Sequence, residues 1–428
     1  MDEMGTYNVD TTYFDTIIER YADKKHENFI KPAFGRGCIA DIPEIVEGMI
    51  NGTEQASLYG KMPLDAIGSD HVIVLILDGF GHDLFMYATE KHPMKNLGSI
   101  LSESTYLPIT SVFPSTTATA LFTVYMGMQP VEHEIIGYTQ YVRELGTVCN
   151  MLSMSPIGNR KNDLIGAGWM PGSLRGRKSF AKRISDSGTP SFIYLPNMIK
   201  DSGMSKITAA ESTVRSYYST SHMFTSIARD VKEARGKSVH IGYISSVDTM
   251  SHKVGSRTEE TALELESIFY NIDMLKQSLM STNTTLLISA DHGHVNVGTS
   301  NLFDISKDGE LYNTFRAPVV GDARAAFLRI RCGYLDEARN HLIERYGANY
   351  EIFDSLEMLK EGYFGDRKEN INVNDRFGDL IMVPKRNIGI IDSNLTFLDP
   401  KMSHENMIGM HGGLLREEMI VPLIVANF

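Results

Sequence analysis

The chain has 428 residues, of which 42% are hydrophobic and 22% charged, with a formal net charge of −12. That is a globular composition, and it excludes a disordered, collagen-like or low-complexity chain. The length fits one large α/β domain with insertions, or two domains. The acidic balance argues against polymeric nucleic acid as a partner, because that binding needs clustered Lys and Arg. A small phosphorylated ligand stays open, since a local metal charge overrides the net charge. The three cysteines, Cys38, Cys149 and Cys332, are far apart in sequence, which argues against a disulfide framework and excludes a Cys-based zinc site. The start, MDEMGTYNVDTTYF, has no signal-peptide pattern. The longest dense apolar run, Val72–Leu77, is far too short to span a bilayer. The expectation is a soluble cytoplasmic protein with no membrane partner; the oligomeric state is not legible.

Residues 1–64 read as a helical N-terminal extension, with apolar residues at three-to-four spacing over Thr12–Tyr21 and Ile42–Ile50. The first part of a catalytic α/β core is placed at 65–315. His71–Leu77 is a continuous aliphatic run that breaks at Asp78-Gly79, as suits a strand buried on both faces of a parallel sheet. Ser238–Val247 repeats the plan and ends at Asp248; Thr284–Ala290 ends at Asp291-His292. Between them, Thr258–Met280 reads as a helix opened by Ser256 with Glu259 three residues on, a capping-box pattern. Residues 316–378 read as a small α/β cap: a strand over Arg324–Ile330, a helix over Leu335–Tyr346 and a short strand over Tyr350–Phe353. Residues 379–428 return to the core through strands at Asp379–Val383 and Met419–Val425. Strands alternating with amphipathic helices indicate an α/β fold with a mostly parallel sheet. The stretch Tyr138–Pro196 carries no motif and is expected to line the far side of a pocket.

Three strands ending in Asp deliver three carboxylates to one sheet edge, where open α/β sheets bind ligands. Asp78, Asp248 and Asp291 would repel one another unless a cation compensates. Histidines stand beside two of them, in Asp248-Thr-Met-Ser-His252 and Asp291-His292-Gly-His294, and another, His411, precedes the final strand. Oxygen and imidazole ligands without thiolate suit Zn²⁺, Mn²⁺ or Fe²⁺ better than Ca²⁺. The set is large enough for two metals, and a pair about 4 Å apart clamps both oxygens of an in-line displacement. Ser111–Ala120 places a hydroxyl cluster before a helix-like run ending at Gly127. A hydroxyl at a helix start, beside a metal, suits a nucleophile for phosphoryl chemistry.

Taken together, these motifs resemble the alkaline phosphatase superfamily, and most of all its nucleotide pyrophosphatase/phosphodiesterase branch. The resembling residues are Asp78-Gly79, the Thr-rich turn, Gly127-Met-Gln-Pro130-Val-Glu-His133, Asp248 with His252, Asp291-His292-Gly293 and His411-Gly412, in the family's order. The resemblance implies an alkaline-phosphatase-like three-layer αβα sandwich with a small α+β cap insertion. It implies two divalent metal ions, with Zn²⁺ favoured over Mn²⁺ or Fe²⁺. Asp78, Asp291 and His292 match the ligands of the metal beside the nucleophile; Asp248, His252 and His411 match those of the other. The nucleophile lies ten residues before Gly127, at Thr117, with Thr116 the alternative. The implied activity is phosphoester hydrolysis through a phosphothreonine, on a small phosphorylated substrate such as a nucleotide or another phosphodiester.

Two departures bear on substrate class. Phe113-Pro114 precede both threonines where the branch has Phe-Pro after the nucleophile, and Gly137-Tyr138 stand where it has a phosphate-binding Asn. A phosphomonoesterase or phosphomutase of the same superfamily is the alternative enzyme, and a metal-containing binding protein the alternative of another class. Glu134 occupies a position where Gly is common. His294 is read as lining the cleft, His133 as packing on the nucleophile helix, and His82 as structural. The stretch Arg324–Arg331 is read as an exposed strand face, with Arg316 and Arg324 as weak substrate-binding candidates.

Overall fold

The computed structural model describes residues 11–53, 68–91, 94–366, 374–399, 403–404 and 406–428. The first ten residues and 54–64 of the expected N-terminal extension lie outside that range. The remainder of that segment contains helices at Thr11–Glu19 and Ile42–Asn51.

The main sheet has seven strands: β1 (His71–Leu77), β2 (Ser104–Thr110), β3 (Ser191–Pro196), β4 (Thr213–Tyr217), β5 (Ser238–Ile244), β6 (Thr284–Ser289) and β7 (Ile420–Asn427). Their order is β2-β7-β6-β1-β5-β3-β4. The five strands from β6 to β4 are parallel; β7 runs antiparallel to both β6 and β2. Every residue of β1, β5 and β6 is buried, which is why these segments read as unbroken apolar runs rather than alternating ones. The helices Lys95–Leu101, Thr220–Glu233, Ser246–Val254 and Glu259–Leu279 pack in one group; Ile42–Asn51, Thr117–Met126 and Phe180–Asp186 pack in another. This is the alkaline-phosphatase-like α/β architecture.

Register positions the site. Ile76 pairs with Ser289 and Leu77 with Ile244, so Asp78 emerges level with Asp291, at the carboxyl edge. Asp248 does not sit at a strand end. β5 stops at Ile244, and Asp248 lies in the first turn of the helix Ser246–Val254. That places His252 one helical turn further on the same face. The long helix begins at Glu259, and its N-cap is Thr258, whose hydroxyl accepts from Thr261 N–H, rather than Ser256.

A second seven-stranded sheet, antiparallel throughout, runs in the order 350–354, 380–384, 325–328, 320–322, 139–142, 147–150, 155–156. The strand at 380–384 therefore belongs to this sheet and does not return to the main one. A single pairing, Gly321 with Thr139, joins its halves. The stretch Arg324–Ile330 is buried, not an exposed strand face. A short antiparallel pair, Val295–Asn296 with Gly409–Met410, holds the loops carrying His294 and His411 side by side.

Candidate active site

Three carboxylates, two of them buried, and four imidazoles converge at the carboxyl edge of β1, β5 and β6. Two groups have ligand atoms within 4.8 Å of one another: Asp78, Asp291 and His292, and Asp248, His292, His294 and His411. In the first group, His292 Nε2 lies 3.4 Å from Asp78 Oδ1 and 3.4 Å from Asp291 Oδ2. Backbone N–H groups of Gly79 and His292 donate to Asp291 Oδ1 at 3.1 and 3.0 Å, turning the other oxygen inward. The Tyr243 hydroxyl donates to Asp78 Oδ2. In the second group, Asp248 Oδ1 is approached by Nε2 of His294 at 3.1 Å and of His411 at 3.8 Å, and His252, which belongs to neither group, brings its Nε2 to 3.2 Å of the same oxygen. His252 Nδ1 is bound at 2.7 Å to the Gly409 carbonyl, which leaves Nε2 facing Asp248. An imidazole anchored by one nitrogen and presented by the other is the arrangement of a metal-ligating histidine.

The electrostatics of this cluster call for a cation. Burial, with the Asp248 and Asp291 charges nearby, pushes the Asp78 carboxyl well above the usual carboxylate range. Burial lifts Asp291 to about 7 and lowers His292 to about 3. Asp248 goes the other way, because His252 and His294 outweigh its burial. Asp78 Oδ1, Asp248 Oδ1, Asp291 Oδ2, both His294 nitrogens and His411 Nδ1 are buried without a hydrogen-bond partner. Buried polar atoms are normally satisfied. Several orphans in one cluster, all oxygen or imidazole nitrogen, fit divalent cations.

Thr117 opens the helix Thr117–Met126, and its Oγ1 lies 3.1 Å from His292 Nε2, the residue shared by both groups. Thr116 occupies the N-cap position, and its hydroxyl donates to Asp322 Oδ2 at 2.8 Å. The two candidate threonines therefore differ: one faces the cluster and the other is committed to a buried carboxylate. Ser115 donates to the Gly413 carbonyl at 2.7 Å, tying this turn to the loop of His411.

Close backbone packing sets the geometry. A Cβ on Gly79, whose φ is +76°, would lie 2.6 Å from His294 Cε1; one on Gly293 would lie 2.1 Å from the Glu417 carbonyl oxygen. The loop after His411 is held by Glu418, which accepts from Gly413 N–H at 2.9 Å and forms a buried two-point ion pair with Arg324 at 3.0 and 2.9 Å.

All eight sequence-derived candidates lie in or beside the cluster: Thr116, Thr117, Asp78, Asp248, His252, Asp291, His292 and His411. His294, read only as a cleft residue, joins the second group; its signal was the spacing Asp291-His292-Gly-His294, two imidazoles on one turn. Asp322 and Glu418 carried no local signal. Burial lifts the Asp322 carboxyl to about 6. Arg324 is fully buried against Glu418 rather than offered to substrate. Arg316 binds the Ile330 carbonyl and Asp379. His133 packs on the helix Thr117–Met126 through Thr123 at 3.0 Å, and His82 bonds Tyr106 within an aromatic cluster. Glu134 adopts φ +63°, the left-handed region that favours Gly. No helix among the described residues is long and apolar enough to cross a membrane.

Comparison with known proteins gives the same picture. Residues 72–414 match the family model for type I phosphodiesterase/nucleotide pyrophosphatase. Murine ectonucleotide pyrophosphatase/phosphodiesterase 5 superposes with a TM-score of 0.60 at 17% identity, covering 82% of this chain and 87% of that one. An inactive variant of it in complex with AMP gives 0.58 at 16%, with the same coverage. Phosphonoacetate hydrolase from Sinorhizobium meliloti 1021, in complex with phosphonoacetate, gives 0.61 at 15%, covering 82% and 89%. No curated protein sequence matches the chain.

Proposed function

Because the chain belongs to the type I phosphodiesterase/nucleotide pyrophosphatase family of phosphoester hydrolases, within the alkaline phosphatase superfamily, we propose that it hydrolyses a small phosphodiester through a phosphothreonine at Thr117. The observation that carries this reading is the 3.1 Å approach of Thr117 Oγ1 to His292, the residue common to both ligand groups. Asp78, Asp291 and His292 would hold one divalent cation, and Asp248, His252, His411 and His294 would supply the other, with Zn²⁺ favoured and Mn²⁺ or Fe²⁺ the alternatives. Bound cations would supply the positive charge that lowers the threonine pKa and offsets charge developing on the phosphoryl oxygens.

The rest is work for the chain's own side chains. Thr117 Oγ attacks phosphorus as the leaving oxygen departs on the opposite side, carrying the bonding pair. Water then displaces Thr117 and restores it. Tyr243 holds the orientation of Asp78 through its hydroxyl, and the Gly79 and His292 N–H groups hold Asp291. Burial excludes bulk water, so these fixed dipoles act at low dielectric. AMP and phosphonoacetate, held by the solved neighbours, support a small phosphorylated or phosphonylated substrate.

The test is turnover of aryl phosphate mono- and diesters by purified protein with Zn²⁺ or Mn²⁺. Asp291→Ala and Thr117→Ala are each expected to lower kcat by about a thousandfold or more, and Thr116→Ala by far less. Turnover at the wild-type level in Asp291→Ala or Thr117→Ala would rule the reading out.

A further inference from the structure

Thr116 has the extended backbone of an N-cap, with φ −126° and ψ 146°, before the ten-residue helix that Thr117 opens, yet its side chain makes no capping bond. A threonine in that position ordinarily turns its oxygen to the N–H of the second or third helical residue, here Ala118 or Thr119. Instead the Thr116 hydroxyl donates to Asp322 Oδ2 at 2.8 Å. A residue of the second sheet, 206 positions away in sequence, therefore decides what this hydroxyl does.

Asp322 is held in place from several sides. Its other oxygen, Oδ1, accepts from Ala323 N–H at 2.8 Å. The Thr139 hydroxyl donates to the Gly321 carbonyl at 3.0 Å and accepts from Gly321 N–H at 3.0 Å, which pins the backbone just before Asp322. A Cβ on Gly412 would lie 2.9 Å from Asp322 Cβ, so the loop of His411 packs against this side chain. Asp322 and Tyr138 line a cavity of about 50 Å³, and Tyr138 also lines a larger one, of about 370 Å³, beside Thr117.

A capping hydroxyl and a phosphoryl oxygen compete for the same donors, the N–H groups of the first helical turn. We propose, on the phosphothreonine reading above, that Asp322 is a positioning residue. It draws the Thr116 hydroxyl off its own helix and so keeps those N–H groups open to the phosphoryl group that Thr117 attacks. A bond that served only as structural support would behave differently: losing either partner would cost, and losing both would recover nothing. Here a residue 116 without a hydroxyl has nothing to cap with, and Asp322 becomes dispensable.

The test measures kcat/KM for a 4-nitrophenyl diester and, without turnover, the calorimetric Kd of orthovanadate, both on metal-loaded protein. Asp322→Ala is expected to lower kcat/KM and to weaken orthovanadate binding by about tenfold each, the worth of one hydrogen bond to a charged group. Thr116→Val keeps the shape without the hydroxyl and should lose only about threefold, because water in the small cavity can meet the freed Asp322 oxygen. Asp322→Ala combined with Thr116→Val should regain most of the loss. Asp322→Asn, with one acceptor oxygen in place of two, should fall between, and its pairing with Thr116→Val carries the comparison if Asp322→Ala does not fold. A double variant as poor as the Asp322 variant alone, or an Asp322→Ala enzyme equal to wild type, overturns the inference while leaving the Thr117 reading intact. Thr116→Val inactive beside an active Thr117→Ala overturns both. If no ester is hydrolysed, the phosphoesterase reading falls and orthovanadate decides: the same loss and recovery in Kd upholds the role of Asp322, and any other pattern overturns it.

Discussion

Gly293 separates His292 from His294, and its backbone is wedged between two others. A Cβ there would lie 2.1 Å from the Glu417 carbonyl oxygen and 3.0 Å from Gly81 Cα. Both neighbours are backbone, so neither can swing aside. Gly293 N–H also donates to the Glu418 carbonyl at 2.9 Å. Gly293→Ala must therefore open the gap by about 1 Å, and the segment that moves carries ligands of both groups. Misplacing reacting groups by about 1 Å can cost on the order of a hundredfold in rate, while overpacking itself costs about 1–3 kcal/mol of stability. The expected outcome is a folded protein with a modestly lower Tm, kcat down roughly a hundredfold and weakened metal retention. The control is Gly309→Ala, where an added Cβ meets nothing within 4 Å; it should leave both quantities unchanged. Kinetics, metal content after dialysis and thermal melts on the same preparations separate the two effects. A Gly293→Ala enzyme within twofold of wild type, with full metal content, would show that this close approach does not set the site's geometry.

Chelation should lower stability as well as activity, because it leaves three closely placed aspartates repelling one another; at a metal concentration a hundred times Kd, about 3 kcal/mol per site is at stake. A Tm insensitive to chelator would contradict the cation assignment. Arg324→Met should destabilise by about 3–5 kcal/mol, because Glu418 is left fully buried without its counter-charge; Glu418→Gln, which keeps an acceptor for Gly413, should cost less. Urea titrations of both variants check the ranking, and an Arg324→Met variant as stable as wild type would count against it. Burial lowers His82, His133 and His240 to about 3, so the unfolded chain binds more protons than the folded one between about pH 6.5 and 3. Their contribution is complete above that window and is lost as pH falls through it. His133→Gln should make the fall of unfolding free energy with acid shallower by about 1.4 kcal/mol per pH unit, and an unchanged slope in urea midpoints would refute this.

The sequence disclosed what is local. β1 was legible to the residue, because a strand buried on both faces must be apolar throughout. The family resemblance implied Thr117 through its distance to Gly127 and left Thr116 open; the Thr117 hydroxyl lies beside His292 and that of Thr116 beside Asp322. Asp248 was misplaced at a strand end because Ser245-Ser246-Val247 carry no Gly or Pro break after Ile244, where β5 in fact stops. Three strands of the second sheet were legible, at 325–328, 350–354 and 380–384, but their assembly into one sheet was not. Its halves meet through Thr139 and Gly321, 182 residues apart, and no local periodicity encodes such a pairing. The same holds for Glu418 with Arg324 and for Asp322 with Thr116, whose partners are distant in sequence. The uninterpretable stretch 138–196 supplies much of the wall of the cavity beside Thr117, a mixture of apolar and polar residues whose meaning is only spatial.

The place of β7 in the main sheet bears on how the protein comes into being. It lies between β2 and β6, strands synthesised long before it. Until it inserts, each of those two presents a row of unpaired backbone groups, a template for mispairing with other chains. The same arrival brings His411, on the loop just upstream. On the proposed two-cation reading, a nascent chain cannot assemble the complete ligand set on a half-built sheet, and metal capture would report that the last main-sheet strand has found its slot.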